Sequence, residues 1–475
     1  MKILKNYLYN SFYQVLLIIL PVITIPYVTR VLGEEGYGIN SYTNSVIQYF
    51  ILFGTIGISL YGSKTIGYFA DDKIKRSKVF WELTILKAVT VTLSILAFLL
   101  FLYATSQYRF FYLCQSLLLV AGLFDVSWYF MGREDFKKTV FRNTLVKIIS
   151  LILIFTLIKT PADLWKYILI NSLSNVFGQL TLWPYLKNEI IFVKFSLADF
   201  LASFKGSLAL FIPQIAIQIY SILNKTLLGV FGTMGDVGNF EAADKVVTIV
   251  MTLITSLGTV MLPRIANSFG KKDFAAIDRY TKQTFLLISV LAIPISFGLI
   301  AIAEPFSHLF FGSKFTTAGL LIQLMSFKII GVAWTTVIGY QYLLATNQTK
   351  KYTVSVFLGA LASILINLTI TPHLTYIGAG LSVLISEAVV TSYQLYAVRR
   401  ELDLKNYFFP EILKYFFAAG VMFLAVAASL KFFGTGILGL SLAVGVGALI
   451  YGCMIVLLKT QVVKIAKSVG AQIKR

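Results

Sequence analysis

The sequence predicts an all-α polytopic membrane protein, and three observations carry that prediction. About fourteen apolar stretches of roughly 17–25 residues follow one another from Tyr7 to Leu458, each long enough to cross a ~30 Å hydrocarbon core as a helix. Lys and Arg crowd alternate connecting segments and are scarce in the others, the asymmetry that fixes topology during insertion. Hydrophobic residues make up 57% of the chain and charged ones 13%, with a mean hydropathy of +0.81, more apolar surface than a soluble monomer could keep from water. Whatever the chain does is done in or across a bilayer.

The first expected span, 8–29, follows Lys2 and Lys5 and contains Pro21 and Pro26; it is too long and too Tyr-rich for a signal-peptide core and lacks a small-residue cleavage site. Span 39–61 ends before Lys73, Lys75, Arg76 and Lys78. Spans 79–103 and 109–131 form a hairpin closed by Arg133, Lys137, Lys138 and Arg142, and spans 140–158 and 163–185 a second one closed by Lys187, Lys194 and Lys205. Spans 202–223 and 240–262 precede Arg264, Lys271, Lys272 and Arg279, and spans 280–302 and 318–344 precede Lys350 and Lys351. Spans 352–370 and 376–397 precede Arg399, Arg400 and Lys405, and 412–430 and 437–458 precede a basic tail. With the N-terminus in the cytoplasm, roughly 30 basic residues fall inside against about 6 outside, so both termini are expected there.

The net charge of +20 is thus spread over short loops at helix ends and does not form a folded basic face for nucleic acid. Cys114 and Cys453 both lie in apolar stretches and form neither a disulfide framework nor a zinc site. No loop exceeds about 20 residues, which leaves no hidden soluble catalytic domain.

The chain repeats itself with an offset near 200 residues, as secondary transporters built from two related halves do. Gly38 answers Gly238, Lys64 answers Arg264, and the acidic, glycine-bearing loop Gly33–Gly38 answers Gly232–Gly238. Six helices per half begin and end on the same side, which gives a pseudo-twofold along the membrane normal. The expected domains are an N-terminal six-helix bundle at 1–198, a C-terminal six-helix bundle at 199–405, and two further helices with a basic tail at 406–475.

Lys87, Asp125, Lys147, Lys225, Asp244, Lys245, Lys328 and Glu387 fall within or near the ends of these spans. Each deeply placed charge costs about 2.5–3.5 kcal/mol on insertion scales, so it should face a wet cavity, a partner or the bundle interior. Lys87 and Lys147 are read as snorkelling to the cytoplasmic headgroups. Arg30, Lys225 and Lys245 put cations in the outer half of the leading helices of each repeat, a cavity that would favour an anion; anchoring in the outer headgroups is the other role open to Arg30 and Lys245. Asp244 and Lys245 are about 100° apart on their helix and should not pair. Glu387 is the deep acidic group, a coupling or gating candidate with Asp244. Pro21 and Pro26 remove successive helical hydrogen bonds and make the first helix a candidate gate, with Pro213 bending its counterpart.

His308 and His373 are too far apart in the sequence to seed a metal site or a triad, and no GxxxxGK[ST] loop is present. GTMGDVG at Gly232–Gly238 is glycine-rich but does not follow a strand. No catalytic residue, metal or cofactor is expected; drive would come from an H+ or Na+ gradient, the membrane potential or the substrate gradient.

Two stretches, PYVTRVLGEEGYGINSYTNSVIQYF from Pro26 to Phe50 and FDVSWYFMGREDFKK from Phe124 to Lys138, resemble the Wzx-type polysaccharide repeat-unit flippases of the multidrug/oligosaccharidyl-lipid/polysaccharide superfamily. Asp125, Trp128, Gly132 and Glu134 carry the second likeness, and NKTLLGVFGTMGDVGNFEAADKVV from Asn224 to Val247 is similar to the equivalent region of the other half. Asn224 stands where the family would have an aspartate, which weakens any carboxylate-based coupling at that position. The resemblance implies a MATE-like fold and a flippase that exports oligosaccharide repeat units, linked through pyrophosphate to a polyprenol such as undecaprenol, across the bacterial plasma membrane by alternating access. It implies pyrophosphate and sugar binding by Arg30, Lys225 and Lys245, with Lys64 and Arg264 at the inner mouth, and polymerase and glycosyltransferases of the same pathway as partners. Asp125 and Glu134 are expected to lock loop structure against Arg133 or Lys137.

Three other readings compete. A drug or cation antiporter of the same superfamily would want acidic residues deep in the cavity, where this chain has mostly cations. A lipid II flippase shares the need for a cationic cavity. A membrane-embedded polysaccharide polymerase would carry a large outer loop with Arg or His residues, and these outer loops are short.

Overall fold

The computed structural model describes residues 2–258 and 261–464, and among them the regular structure is helical, with no strand. Packing separates two compact units, Met1–Gly229 with Thr233–Gly238, and Val230–Gly232 with Asn239–Arg475.

The first unit contains α1 (Lys2–Thr55), α2 (Ile58–Tyr68), α3 (Lys73–Ala104), α4 (Arg109–Phe124), α5 (Ser127–Gly132), α6 (Phe136–Leu157), α7 (Leu164–Leu180) and nearly all of α8 (Leu197–Phe231). Two expected spans run together in α1, broken at Gly33, whose φ of 72° suits a residue without Cβ. Helical backbone continues through Pro21 and Pro26, so the sharp break in this helix belongs to the glycine. The expected span 109–131 is divided at Asp125 into α4 and the short α5. Leu93, Leu96, Leu99 and Leu100 point outward along α3, a stripe that only lipid would cover.

At the centre of this unit Trp128 is fully buried and stacks on Phe80, ring centroids 5.7 Å apart, with Tyr129 edge-on to the same ring. Its indole N–H donates to the Asp125 carbonyl at 3.2 Å. Gly62 of α2 lies flat against the indole, where a Cβ would collide with it. Such a stack adds about 0.5–1.5 kcal/mol beyond the area it buries.

The second unit contains the rest of α9 (Met234–Gly258), then α10 (Leu262–Gly270), α11 (Phe274–Phe311), α12 (Ala318–Ser326), α13 (Lys328–Thr335), a π-helical stretch Thr336–Leu343, α14 (Thr349–Thr369), α15 (Thr371–Val398), α16 (Leu404–Phe408), α17 (Glu411–Phe433) and α18 (Ile437–Leu457). The expected span 318–344 is built from three helical pieces. Trp334 stacks on Phe285 with centroids 5.5 Å apart, and its indole donates to Ser289 Oγ at 3.0 Å.

The offset near 200 residues reappears in three dimensions. Asp72 caps α3 by accepting from Lys75 N, as Asp273 caps α11 by accepting from Ala276 N; eight and twelve residues on stand Phe80 and Phe285, each under its tryptophan. Lys64 and Arg264 occupy the corresponding short helices, α2 and α10.

The chain is a multi-span membrane protein: nine helical stretches among the described residues combine the length and hydropathy needed to cross a bilayer. α7, at 17 residues, is shorter than these, and about fourteen crossings stays a proposal. So does the division at 198 and 405; α8, which that division gives to the second bundle, packs with the first unit up to Gly229. The Pro213 side chain and the tail beyond 464 lie outside the described residues.

Candidate functional site

The charges expected at membrane depth divide into neutralised pairs and cavity-lining groups. Lys87 on α3 is 1% exposed and does not reach the headgroups: its Nζ donates to the Asp125 carbonyl at 2.5 Å and lies 3.7 Å from the carboxylate. The reading of Lys87 as a snorkelling side chain is therefore corrected. Asp125 is corrected with it, since its partner is Lys87, not Arg133, and its carboxylate accepts from Ser127 N at 2.9 Å, fixing the start of α5. Arg133 instead joins Arg76 at Glu189 and the Ala70 carbonyl, and Arg76 Nε donates to Tyr129 Oη at 2.8 Å. Glu134 is exposed, and the Lys137 side chain is outside the described residues.

In the second unit Asp244 on α9 pairs with Lys328 on α13 at 2.9 Å, while Lys245 turns one face away and pairs with Glu241 at 3.3 Å. The 100° separation of adjacent residues produces that division. Glu387 on α15 is buried; Thr335 Oγ1 donates to it at 3.1 Å, and Gly331 makes room for its stem. Lys328 also acts electrostatically on Glu387, so one cation faces two carboxylates.

The remaining expected binding residues are placed unit by unit. Arg30 on α1 is exposed and Lys225 on α8 half-buried, both in the first unit. The α8 segment bearing Lys225 is held to α1 by a 2.9 Å bond between Ser45 Oγ and Thr226 Oγ1 and by Gly229 lying against the Tyr42 ring. Lys64 is exposed, with its ammonium 6.0 Å from the Tyr68 ring centroid, and Arg264 is exposed on α10. Asn224 is buried. The GTMGDVG stretch begins α9 as a capping box: Asp236 accepts from Thr233 N at 2.9 Å and donates its own N–H to Thr233 Oγ1 at 3.1 Å, which accounts for its composition without a nucleotide.

Sequence reasoning missed a polar cavity of about 210 Å³ in the first unit, between α1, α6 and α7. Pro21 and Thr24 contribute one wall, Arg142 and Lys147 the second, and Asn171 and Asn175 the third. The signal was present in α7, where Tyr167, Asn171, Asn175 and Gln179 recur every fourth residue and so share one face. The turn between α6 and α7 is pinned by Asp163, which accepts from Thr160 N at 2.9 Å and Lys159 N at 3.0 Å and pairs with Lys166 at 2.6 Å. Lys166 first, and then these N–H groups, hold its carboxyl well below the ordinary aspartate range. An apolar pocket of about 380 Å³ lies in the second unit among α9, α11, α17 and α18, lined by Pro294, Gly298, Met422, Val426, Gly447 and Tyr451.

Residues 3–269 match the family described as polysaccharide biosynthesis protein, and residues 180–451 match the lipid II flippase MurJ family. A putative O-antigen transporter of Escherichia coli K12 is 25% identical over 83% of this chain and 96% of its own length. A probable low-salt glycan biosynthesis flippase of Haloferax volcanii is 24% identical over 40% of this chain and 41% of its own. Among solved structures, lipid II flippase MurJ in an inward closed conformation superposes with a TM-score of 0.76 at 15% identity, covering 95% of this chain and 98% of that one. An inward-facing multidrug resistance MATE transporter superposes with a TM-score of 0.57 at 12% identity, covering 82% and 99%. At these identities the structural likenesses concern the fold.

Proposed function

We infer from one premise, that this chain belongs to the polysaccharide biosynthesis protein family and over its second half also to the lipid II flippase MurJ family, that it is a flippase of lipid-linked oligosaccharides. The observation that carries this is the match of residues 3–269, supported by an O-antigen transporter that aligns along nearly all of its own length. The cargo is an oligosaccharide repeat unit on a polyprenyl pyrophosphate, moved from the inner to the outer leaflet of a bacterial plasma membrane, with both termini in the cytoplasm. The chain acts as a carrier and not an enzyme, and polymerase and glycosyltransferases of one biosynthetic route are its partners.

Chemistry supports the assignment piece by piece. A pyrophosphate needs cations, which Arg30, Lys225 and Lys245 supply, with Lys64 and Arg264 where the headgroup enters. The apolar pocket in the second unit suits a stretch of hydrocarbon. Asp244, Lys328 and Glu387 form a partly buried charged group whose protonation or cation occupancy can couple movement to an H+ or Na+ gradient, and Pro21, which lines the cavity between α1, α6 and α7, marks with Pro26 the stretch of α1 where a gate would bend. Alternating access of the two units is the corresponding mechanism.

Reconstitution tests the proposal. Liposomes containing the protein and a fluorescent polyprenyl-pyrophosphoryl oligosaccharide are assayed with a membrane-impermeant quencher, with and without a proton or sodium gradient. Protein-dependent exposure of the label is expected; its absence, alongside gradient-driven efflux of an organic cation, would move the chain to the antiporter branch. The match of residues 180–451 favours lipid II as the second cargo, and the same assay with labelled lipid II separates the two.

A further inference from the structure

We propose that Glu82 is a proton-binding site of the first unit, a carboxyl held between α3 and α8 and separate from the Asp244, Lys328 and Glu387 group. Two rungs of side chains with one spacing join these helices. Lys78 on α3 meets Asp199 on α8 at 2.8 Å, and four residues further along both helices Ser203 Oγ donates to the Glu82 carboxylate at 2.6 Å. The first rung is a partly exposed ion pair. In the second, Glu82 is 5% and Ser203 4% exposed, so the carboxyl is shut inside the unit.

The charge count argues for a proton. Asp199 and Lys78 are the charged groups that act electrostatically on Glu82. Lys78 is already committed: its ammonium first, and then the Ser196 N–H, hold the Asp199 carboxyl at about 2, so Asp199 stays ionised. One lysine therefore faces two carboxyls, and a single proton on Glu82 makes the group neutral. The other ionisable side chains of these helices are engaged or turned elsewhere. Lys87, further along α3, bonds Asp125; Lys205 on α8 is exposed, two residues from Ser203 and so on another face. From α2, Lys64 is exposed beside the Tyr68 ring, and Tyr61 lies against Gly206 of α8. A buried carboxylate whose hydrogen-bond donor is one serine is costly unless it is paired or neutralised. Neutralisation is a single protonation: a proton from water joins a carboxylate oxygen, Ser203 keeps its own, and no electrons are exchanged with another group.

Two further observations point the same way. Continuing the spacing of the rungs reaches Leu86 and Ser207, both buried, and the Ser207 hydroxyl has no hydrogen-bond partner among the described residues. The polar face of α8 thus runs one turn past Glu82 and leaves a buried hydroxyl for a proton-bearing carboxyl or a water to satisfy. The second unit holds the same chemistry: Lys328 pairs with Asp244 at 2.9 Å, and Thr335 donates to the buried Glu387 at 3.1 Å. In each unit a lysine and an aspartate neutralise each other and leave a buried glutamate that receives a hydroxyl. Use of the Glu82 proton to drive transport rests on the flippase reading; its binding does not.

The test uses the full-length protein in neutral detergent, with infrared difference spectra recorded across pH to read the C=O band of a neutral carboxyl. A band that grows on acidification, is missing from Glu82→Gln and persists in Glu387→Gln is expected. Lys78→Met should move its growth to higher pH and Asp199→Asn to lower pH, each by about one pH unit, because the first removes the attracting cation and the second the competing carboxylate. Ser203→Ala should shift the frequency of the band by removing its hydrogen bond. If Glu82→Gln does not fold, the Lys78 and Asp199 variants decide, since both lie on the partly exposed rung. Absence of a Glu82-dependent band, or a band that Lys78→Met and Asp199→Asn leave unmoved or move in one direction, would overturn the site. Titration of Glu82 without leaflet-to-leaflet movement of the labelled oligosaccharide would remove the flippase reading and leave the site; movement without a Glu82-dependent band would do the reverse.

Discussion

Gly38 and Gly238 exclude each other's side chains. A Cβ on Gly38 would stand 2.9 Å from Gly238 N and collide with the Met234 carbonyl, and one on Gly238 would stand 3.1 Å from Gly38 N and collide with the Glu34 carbonyl. The relation is reciprocal: residue 38 meets 234 and 238, and residue 238 meets 34 and 38. The contact joins the start of α9 to α1 just after its break at Gly33. Gly38→Ala and Gly238→Ala should each destabilise by about 1–3 kcal/mol. Because both enlarge the same contact, the double variant should fall short of the sum. Thermal unfolding of the purified proteins measures this, and strict additivity would argue against a shared contact.

Separating Lys87 from Asp125 leaves one charge buried without its counterpart. Lys87→Met or Asp125→Leu alone should cost about 3–5 kcal/mol, while the two together should recover most of the loss. Expression level and melting temperature in detergent report the outcome. Equal damage by single and double variants would show that the Lys87 bond to the Asp125 carbonyl matters more than the charge pair.

Charge reversal at the proposed substrate cations tests them separately from folding. Arg30→Glu and Lys225→Glu should abolish movement of the lipid-linked oligosaccharide while the protein still inserts and unfolds at its ordinary temperature. Unchanged transport would remove that residue from the proposed site.

Glu387 faces Thr335 and shares the influence of Lys328 with Asp244. Glu387→Gln keeps the shape and removes the ionisable group. If the cluster couples movement to a gradient, transport in this variant should persist at a basal rate and lose its response to an imposed proton gradient; a retained response would exclude Glu387.

Glu401, in the loop after α15, receives Lys351 at 2.5 Å, Gln348 at 2.6 Å and Tyr342 Oη at 2.8 Å. Partial burial pushes its carboxyl upward, but these bonds outweigh it and hold the carboxyl below the usual glutamate value. A lowered folded value means the stabilisation is present above the unfolded pKa of ~4.3 and is lost as pH falls through the folded one. The melting-temperature gap between wild type and Glu401→Gln should therefore be constant near neutrality and close below about pH 4. Because the pair is partly exposed, that gap corresponds to less than about 1 kcal/mol.

The multi-span, all-helical character was legible because it depends on composition and on the length of apolar stretches along the chain. Which leucines of α3 face outward, Leu93, Leu96, Leu99 and Leu100, required the fold. Gly38 and Gly238 could be singled out in the sequence because close backbone approach requires a residue type that stands out. Lys87 was misread for a single reason. Position in a span gives depth, but not the helix that each side chain faces. Asp125 lies 38 residues from Lys87, and nothing in the local sequence joins them. The polar stripe on α7 had a visible period, whereas its pairing with α6 required the fold.

The two Phe–Trp stacks also divide the chain optically. Trp81, Trp128, Trp165 and Trp183 all belong to the first unit, and Trp334 is the one tryptophan in the sequence of the second. Its indole rests on Phe285 and donates to Ser289, so it should respond when α11 and α13 separate. A variant with the other four tryptophans replaced by phenylalanine would therefore emit from one half of the molecule alone, and that emission would follow the second unit through denaturation or transport with no attached dye.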